Sequence, residues 1–247
     1  MAYGRVIAGA RLAAVAAVAF APPALANGEE SEERLPLSTV LFASLEAGPA
    51  KTFAAIGMKK ALTGGLADSG FRLMVKVGVS QEETQARRPH GTTYKGEAQS
   101  LLGYEWRIGS TFLALYGGTD YEGEQHEAAA GSVLLNRYGA RLHGDLWMTP
   151  LTGTMLQASF YVSTINGRLW GRVAPGWLLP RDMGVGDLYL GPEIEAFRER
   201  EYGKLRLGLH LTGLRLFGLS WRLSGGWQST SDRPSEAYAT LGLHWQR

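Results

Sequence analysis

The chain has 247 residues and no cysteine, which excludes a disulfide framework and any metal site built on thiolates. It carries 25 lysines and arginines against 23 aspartates and glutamates. Two of the arginines, Arg5 and Arg11, lie in an N-terminal segment that we expect to be removed, so the mature chain is predicted to be neutral. A nucleic-acid binder carries a basic excess or stripe, and we therefore expect no nucleic-acid partner.

The first 26 residues are typical of a secretory signal peptide. Two arginines precede an apolar run from Leu12 to Phe20, and Ala24-Leu25-Ala26 offers a small-x-small cleavage site. A transmembrane helix is the weaker alternative, because the run is too short to cross a bilayer. We expect cleavage after Ala26, export, and a short polar periplasmic leader over residues 27–36.

The stretch "KLRLGLHLTGLRL", Lys204 to Leu216, alternates leucine with charged, polar and small residues. Successive side chains of a β-strand point to opposite faces, so this period of two predicts a strand with one apolar and one polar face. In a soluble sheet the apolar face packs on a core. In an outer-membrane barrel it meets lipid, and the polar face lines the lumen. This stretch alone leaves both interpretations open.

Similar segments recur along the chain and give an even number of strands about ten residues long, which is typical of bacterial outer-membrane barrels. The twelve predicted strands cover Leu37 to Gly48, Lys51 to Leu62, Gly70 to Ser80, Thr93 to Trp106, Thr111 to Glu122, Ser132 to Met148, Thr154 to Thr164, Arg168 to Leu178, Asp187 to Arg198, Tyr202 to Leu214, Leu219 to Ser229 and Glu236 to Trp245.

The cost of burying charge decides which face points outward. Side chains fill the interior of barrels of roughly eight strands, and twelve strands would enclose too wide a space for a purely apolar filling. With the aliphatic residues facing lipid, the charges lie inside, whereas each Arg or Lys facing lipid near the midplane would cost about 2 to 4 kcal/mol. The sequence therefore predicts an all-β fold over residues 37–247: a closed antiparallel up-and-down transmembrane β-barrel of about 12 strands, surrounded by lipid in the outer membrane of a Gram-negative bacterium.

Aromatic residues and connections support this topology. Eight aromatic residues near strand ends are predicted to form the girdles at the membrane interfaces: Tyr104, Trp106, Trp147, Trp177, Trp221, Trp227, Tyr238 and Trp245. With a periplasmic N-terminus, Arg107 to Ser110 and Thr149 to Gly153 are expected to be tight periplasmic turns. The charged segments Gln81 to Gly91 and Gly123 to Gly131 are expected to be longer outward loops.

The polar faces of the strands predict the side chains of the lumen. The candidate polar and aromatic contacts are Arg72, Lys76, Arg141, His143, Asp145, Tyr189, Glu193, Glu195, Lys204, Arg206, His210 and Arg222, with Phe197 on the same face. Sugar-binding surfaces combine aromatic faces with charged groups that form hydrogen bonds. The alternative is that these groups only neutralise one another and fill a narrow barrel.

Several segments resemble the BcsS group of cellulose biosynthesis proteins, which are outer-membrane barrels. The resemblance lies in "GMKKALTGGLADSGFRL" (Gly57 to Leu73), "LLGYEW", "YGARLHGDLWMTP" (Tyr138 to Pro150), "LYLGPEIEAF" (Leu188 to Phe197), "LRLGLHLTGLRL" and the closing "YATLGLHW". These are patterns of glycine, aromatic and strand residues, not a catalytic signature. The resemblance implies an accessory role in making or exporting cellulose, with cellulose or its export machinery as partner.

We expect a non-enzymatic protein with no catalytic residue. An outer-membrane lipid or glycan hydrolase is one alternative, since His143 shares a strand face with Asp145, and His210 with Thr212. Such pairs arise by chance in any alternating strand, and no nucleophile-elbow sequence is present. A small diffusion porin is a second alternative. The remaining histidines lack the spacing of metal ligands, so we expect neither a metal nor a cofactor.

Overall fold

The computed structural model describes residues 37–49, 51–84, 91–128, 131–180, 186–200 and 202–246. The predicted signal peptide, 1–26, and leader, 27–36, lie outside the described residues. The strands are β1 (Thr39–Ala47), β2 (Lys51–Ala61), β3 (Gly70–Thr84), β4 (Gly91–Ile108), β5 (Thr111–Ala128), β6 (Gly131–Met148), β7 (Thr154–Ser163), β8 (Arg168–Leu178), β9 (Tyr189–Glu199), β10 (Tyr202–Leu216), β11 (Leu219–Thr230) and β12 (Glu236–Gln246). A short 3₁₀ helix, Ile165–Gly167, joins β7 to β8. Within the described part of the chain, no helix is long and apolar enough to cross a membrane.

The twelve strands close into one antiparallel barrel. Each strand pairs with its neighbours in sequence, and β1 pairs with β12 from Val40 opposite Gln246 to Ala47 opposite Ala239. The predicted fold class and strand number are confirmed. We call the end where β1 begins and β12 finishes the terminal end, and the opposite end the distal end.

At the distal end, β3 to β6 are longer than expected. Strand β3 continues to Thr84 and β5 to Ala128, so residues 81–84 of the predicted loop Gln81 to Gly91 and residues 123–128 of the predicted loop Gly123 to Gly131 are strand. The 18-residue β5 is about 60 Å long at about 3.4 Å per residue, nearly twice what a tilted spanning strand of about ten residues needs. The predicted loops were too long because charged residues were taken to indicate a loop. Backbone hydrogen bonds between paired strands can continue beyond the membrane into water.

The two faces of the strands lie as predicted. Leu207 and Leu209 are 54% and 60% exposed on the outside, whereas Arg206 and His210 on the inner face are each 1% exposed. Ile56 on β2 shows the same outward exposure. The outer surface is thus an apolar belt, as expected of a face that meets lipid.

The aromatic residues divide between the two faces. Outside, Tyr104 packs against Phe71 and Trp106 with ring centroids 5.1 and 5.0 Å apart, close to the terminal end. Two of the eight expected girdle residues lie inside instead. Tyr238 is buried beside Arg206, and Trp147 packs across the lumen on Tyr189. Alternation along the strand, not nearness to its end, decides the face.

Arg72 fastens the connection between β2 and β3, residues 62–69, at the terminal end. Its Nη atoms donate to the carbonyl oxygens of Thr63, Gly65, Asp68 and Phe71, and its Nε donates to Glu105 at 3.1 Å. All five N–H groups are therefore used within the protein. Leu66 of the same connection is buried against Val40 and Ala61. Sequence analysis placed Arg72 among the candidate lumen contacts; in the structure its hydrogen bonds go to this connection and to Glu105.

The apolar belt predicts a depth-dependent response to charge. Leu207→Arg, in the middle of β10, should lower the free energy of unfolding by about 2 to 4 kcal/mol, because a guanidinium near the midplane faces lipid. Leu216→Arg at the strand end is the matched control and should cost about 0 to 1 kcal/mol, because it lies near the interface. Urea unfolding in lipid vesicles, followed by tryptophan fluorescence, measures both. Equal effects would contradict the assignment of the outer face.

The hydrogen bonds of Arg72 predict a large cost for its removal. Arg72→Met should destabilise the barrel by about 3 to 5 kcal/mol, because it breaks a buried ion pair with Glu105 and releases the connection 62–69. Arg107→Met is the control: it removes one hydrogen bond to the Leu66 carbonyl and should cost about 1 kcal/mol. Urea unfolding and limited proteolysis of residues 62–69 test this. Equal protease resistance of the two variants would show that Arg72 does not hold the connection.

Candidate functional site

The lumen contains a cavity of about 840 Å³. At the distal end it is lined by Tyr202 and Arg233, and toward the terminal end it reaches Val40 and His244. Eleven basic and eight acidic residues line it, together with six phenylalanine, tyrosine and tryptophan residues. The candidate site is therefore a polar cavity with aromatic surfaces inside the barrel.

One ionic network joins β10 to strands on both sides of it. Arg206 donates to Glu46 of β1 at 3.0 Å and to Glu195 of β9 at 3.2 Å, and its Nε donates to Gln228 at 2.8 Å. Lys204 lies 3.3 Å from the same Glu195 carboxylate. Because β1 and β10 are not neighbours in the sheet, the bond to Glu46 crosses part of the lumen.

A second network centres on Arg168 of β8. It contacts Glu122 of β5, donates to Glu199 of β9 at 2.9 Å, and lies 3.6 Å from Glu97 of β4. Arg137 also donates to Glu122, at 2.6 Å. The contacts of Arg168 with Glu122 and Glu97 link strands that are not neighbours in the sheet, whereas its contact with Glu199 joins neighbouring strands.

Near the terminal end, the side of the lumen formed by β9 to β11 is filled. Arg222 contacts both Glu193 and Gln157, the latter on β7. The Nε2 of His210 is 2.9 Å from the carbonyl oxygen of Pro175, which can only accept, so Nε2 carries the proton and Nδ1 accepts from the hydroxyl of Thr212. These side chains do not line the cavity.

The twelve predicted lumen contacts therefore divide into two groups. Those that line the cavity are Lys76, Arg141, His143, Asp145, Glu195 and Lys204. Those outside its lining, packed or bonded to other parts of the chain, are Arg72, Tyr189, Glu193, Arg206, His210 and Arg222. Their use as ligand contacts stays a prediction.

An aromatic row crosses three neighbouring strands of the cavity wall. Tyr161 of β7 is opposite Trp170 of β8, and Trp170 is opposite Phe197 of β9. The rings of Tyr161 and Trp170 are stacked, with centroids 5.5 Å apart and planes at 20°. All three residues line the cavity. Sequence analysis named only Phe197, since alternation places each residue on the inner face but does not align residues of different strands.

Cations flank this aromatic row. The guanidinium carbon of Arg141 is 4.1 Å from the Tyr161 ring, that of Arg172 is 5.8 Å from the Trp170 ring, and Lys204 Nζ is 6.0 Å from the Phe197 ring. Flat rings offer surfaces for the C–H faces of sugar rings, and the flanking groups offer hydrogen-bond donors. The wall thus carries the two elements that saccharide recognition needs.

His143, Asp145 and Ser159 form a cluster that resembles a hydrolase site only in composition. The hydroxyl of Ser159 donates to Asp145 Oδ1 at 2.7 Å, and His143 Nε2 lies 2.9 Å from Asp145 Oδ2. In a serine hydrolase the histidine lies between serine and carboxylate and accepts the serine proton. Here the carboxylate lies in the middle, so the serine lacks a base. The described residues also contain no group of three or more histidines and carboxylates placed to hold a metal.

Solved structures with a similar fold are outer-membrane barrels. The β domain of the Bordetella autotransporter BrkA matches with a TM-score of 0.55 at 10% identity, over 86% of this chain and all of that one. The KdgM porin has a TM-score of 0.48 at 10% identity and covers 83% of this chain and 98% of its own. LpxR from Salmonella typhimurium has a TM-score of 0.48 at 13% identity, over 83% and 99%. At these identities the likeness shows the fold alone, and the two lower scores carry no argument.

Sequence comparison identifies the family. Comparison with curated proteins gives no match. The sequence model described as "Cellulose biosynthesis protein BcsS" matches residues 40–247, which is most of the chain and nearly the whole barrel. The chain therefore belongs to the BcsS family of cellulose biosynthesis proteins.

Proposed function

We propose that this protein is a non-enzymatic barrel of the outer membrane of a Gram-negative bacterium, which assists cellulose biosynthesis by binding the glucan in its lumen cavity. Family membership supports the pathway, and the apolar belt supports the membrane location. The observation that carries the proposal is the aromatic row of Tyr161, Trp170 and Phe197, because it lines a cavity whose other walls are polar.

The ion pairs of the lumen support a saccharide-binding role rather than that of a diffusion porin. Ion pairs cross the lumen from Arg206 to Glu46 and from Arg168 to Glu122, so the barrel interior is divided rather than open as in a wide porin. Near the terminal end Arg72 and Tyr116 are buried and bonded to Glu105, so protein side chains occupy this part of the lumen. A glucan segment that enters from the distal end meets the aromatic row as a docking surface.

The arrangement of His143, Asp145 and Ser159 argues against a hydrolase, because the carboxylate and not the imidazole lies next to the serine hydroxyl. The carboxylate accepts the serine hydrogen bond, and the imidazole contacts only the other carboxylate oxygen. Nucleophilic catalysis needs a base that can take the serine proton. The cluster supports a structural role between β6 and β7.

The aromatic row predicts loss of glucan binding when its rings are removed. The double variant Tyr161→Ala and Trp170→Ala should weaken binding of cellotetraose by about tenfold or more, because each stacked ring contributes about 0.5 to 1.5 kcal/mol beyond its buried area. Isothermal titration of the barrel in nanodiscs measures the affinity. Cells that carry the variant should produce less cellulose, measured by dye binding.

Trp177→Ala is the matched control, since Trp177 lies on the outer face and is 57% exposed. It should leave cellotetraose affinity unchanged. The proposal fails if the double variant folds, binds cellotetraose like the unaltered protein and supports normal cellulose production. Near- and far-ultraviolet circular dichroism and the heat-dependent shift on gel electrophoresis report folding.

A further inference from the structure

Carboxylates and cations of the cavity are not equally paired. Within the described part of the chain, each carboxylate that lines the cavity has a lysine, arginine or histidine nitrogen within 4 Å. The lining cations without a carboxylate partner among the described residues are Lys76, Lys95 and Arg172 inside the barrel and Arg200 near the distal end. The charge left without a partner in the cavity is therefore positive.

Arg172 is the clearest example of a cavity cation that has no carboxylate partner among the described residues. It lies on β8 beside the aromatic row, and its Nε atom is buried without a hydrogen-bond partner. Its register neighbour Glu195 is already used by Lys204 and Arg206, at 3.3 and 3.2 Å. A buried polar group without a partner is costly, and a buried charge more so. An anion from outside the protein would satisfy it.

The charged and titratable groups around Arg172 do not replace such an anion. The groups within electrostatic range include Arg222, His210 and His244, which are cationic or neutral. Two further carboxylates belong to this group: Glu193 contacts Arg222, and Asp145 lies 2.9 Å from His143 Nε2. The local field at the aromatic row therefore favours negative charge.

Lys76 stands on another wall of the same cavity. It lies on β3, five strands from β8 in the closed order, with Nζ 5.6 Å from the Phe53 ring. The carboxylates within electrostatic range of Lys76 have other partners: Glu97 lies 3.6 Å from Arg168, Asp120 2.9 Å from Arg141 and Asp145 2.9 Å from His143. Unpaired cations thus lie on two walls, with the aromatic row beside one of them.

We propose that the cavity binds an anionic saccharide, with sugar rings on Tyr161, Trp170 and Phe197 and acidic groups at Arg172 and Lys76. The saccharide part rests on the proposed function, and the anionic part rests on the unpaired cations. A neutral glucan would offer these cations hydroxyl oxygens but no opposite charge, whereas carboxylate or phosphate groups form charge-assisted hydrogen bonds with guanidinium and ammonium groups.

The test compares two tetrasaccharides with the same β-1,4 backbone: cellotetraose, and its counterpart oxidised to a carboxylate at each C6. Isothermal titration of the barrel in nanodiscs should give the carboxylated form at least about tenfold higher affinity at low salt. The difference should shrink as salt rises, because added ions screen the charges.

Two substitutions on different walls of the cavity then test where the acidic groups of the saccharide bind. Arg172→Gln and Lys76→Gln should each lower the affinity for the carboxylated tetrasaccharide several-fold and lower cellotetraose affinity by a smaller factor, because only the carboxylated form loses a charge pair. Lys60→Gln is the matched control, since it removes the same charge from an exposed outward position on β2 and should change neither affinity. The heat-dependent gel shift reports folding, and if one lumen variant fails to fold, the other carries the test.

The inference is overturned if the two tetrasaccharides bind equally, if neither binds, or if both folded lumen variants keep full affinity for the carboxylated form. Cellotetraose binding without a preference for the acid overturns the inference and leaves the proposed function standing. A preference for the acid, together with normal cellulose production after loss of the aromatic row, supports the anion site and overturns the role in cellulose production.

Discussion

The pairing of β1 with β12 is the contact on which the rest of the structure depends. It satisfies the backbone groups of both edge strands, from Val40 opposite Gln246 to Ala47 opposite Ala239. In lipid an unpaired strand edge is too costly to persist, so only a closed ring can span the membrane. Closure also divides every strand into an outward and an inward face, which places Leu207 in the apolar belt and Arg206 in the lumen.

The charged side chains inside the barrel connect strands that are not neighbours in the sheet. Twelve strands enclose more space than aliphatic side chains fill, and buried ion pairs add little stability by themselves. Their effect is positional: Arg206 reaches Glu46 and Arg168 reaches Glu122 across strands that do not pair. The lumen is divided by these contacts into a filled part near His210 and Arg222 and a cavity beside β7, β8 and β9.

The binding chemistry of the cavity depends on its aromatic side chains and on the cations that have no carboxylate partner among the described residues. Tyr161, Trp170 and Phe197 are aligned by the register of three strands, and Arg141, Arg172 and Lys204 flank their rings. Among the described residues, neither Arg172 next to them nor Lys76 on another wall has a carboxylate partner. Stacking surfaces and free cations in one cavity are a combination suited to acidic sugars, on a family background of cellulose biosynthesis.

Alternation along single strands was enough to predict the twelve strands, the outward leucines and the inward charges, because side-chain direction in a strand depends only on position parity. Strand ends were less predictable, since the charged distal parts of β3 and β5 continue as paired strand in water. Which inner residues meet was decided by the tertiary structure. The row from Tyr161 to Phe197 and the pairing of Arg206 with Glu46 both depend on register and on closure of the ring. A period of two assigns a residue to a face, but it carries no information on the relative shift of two strands or on distances across the lumen.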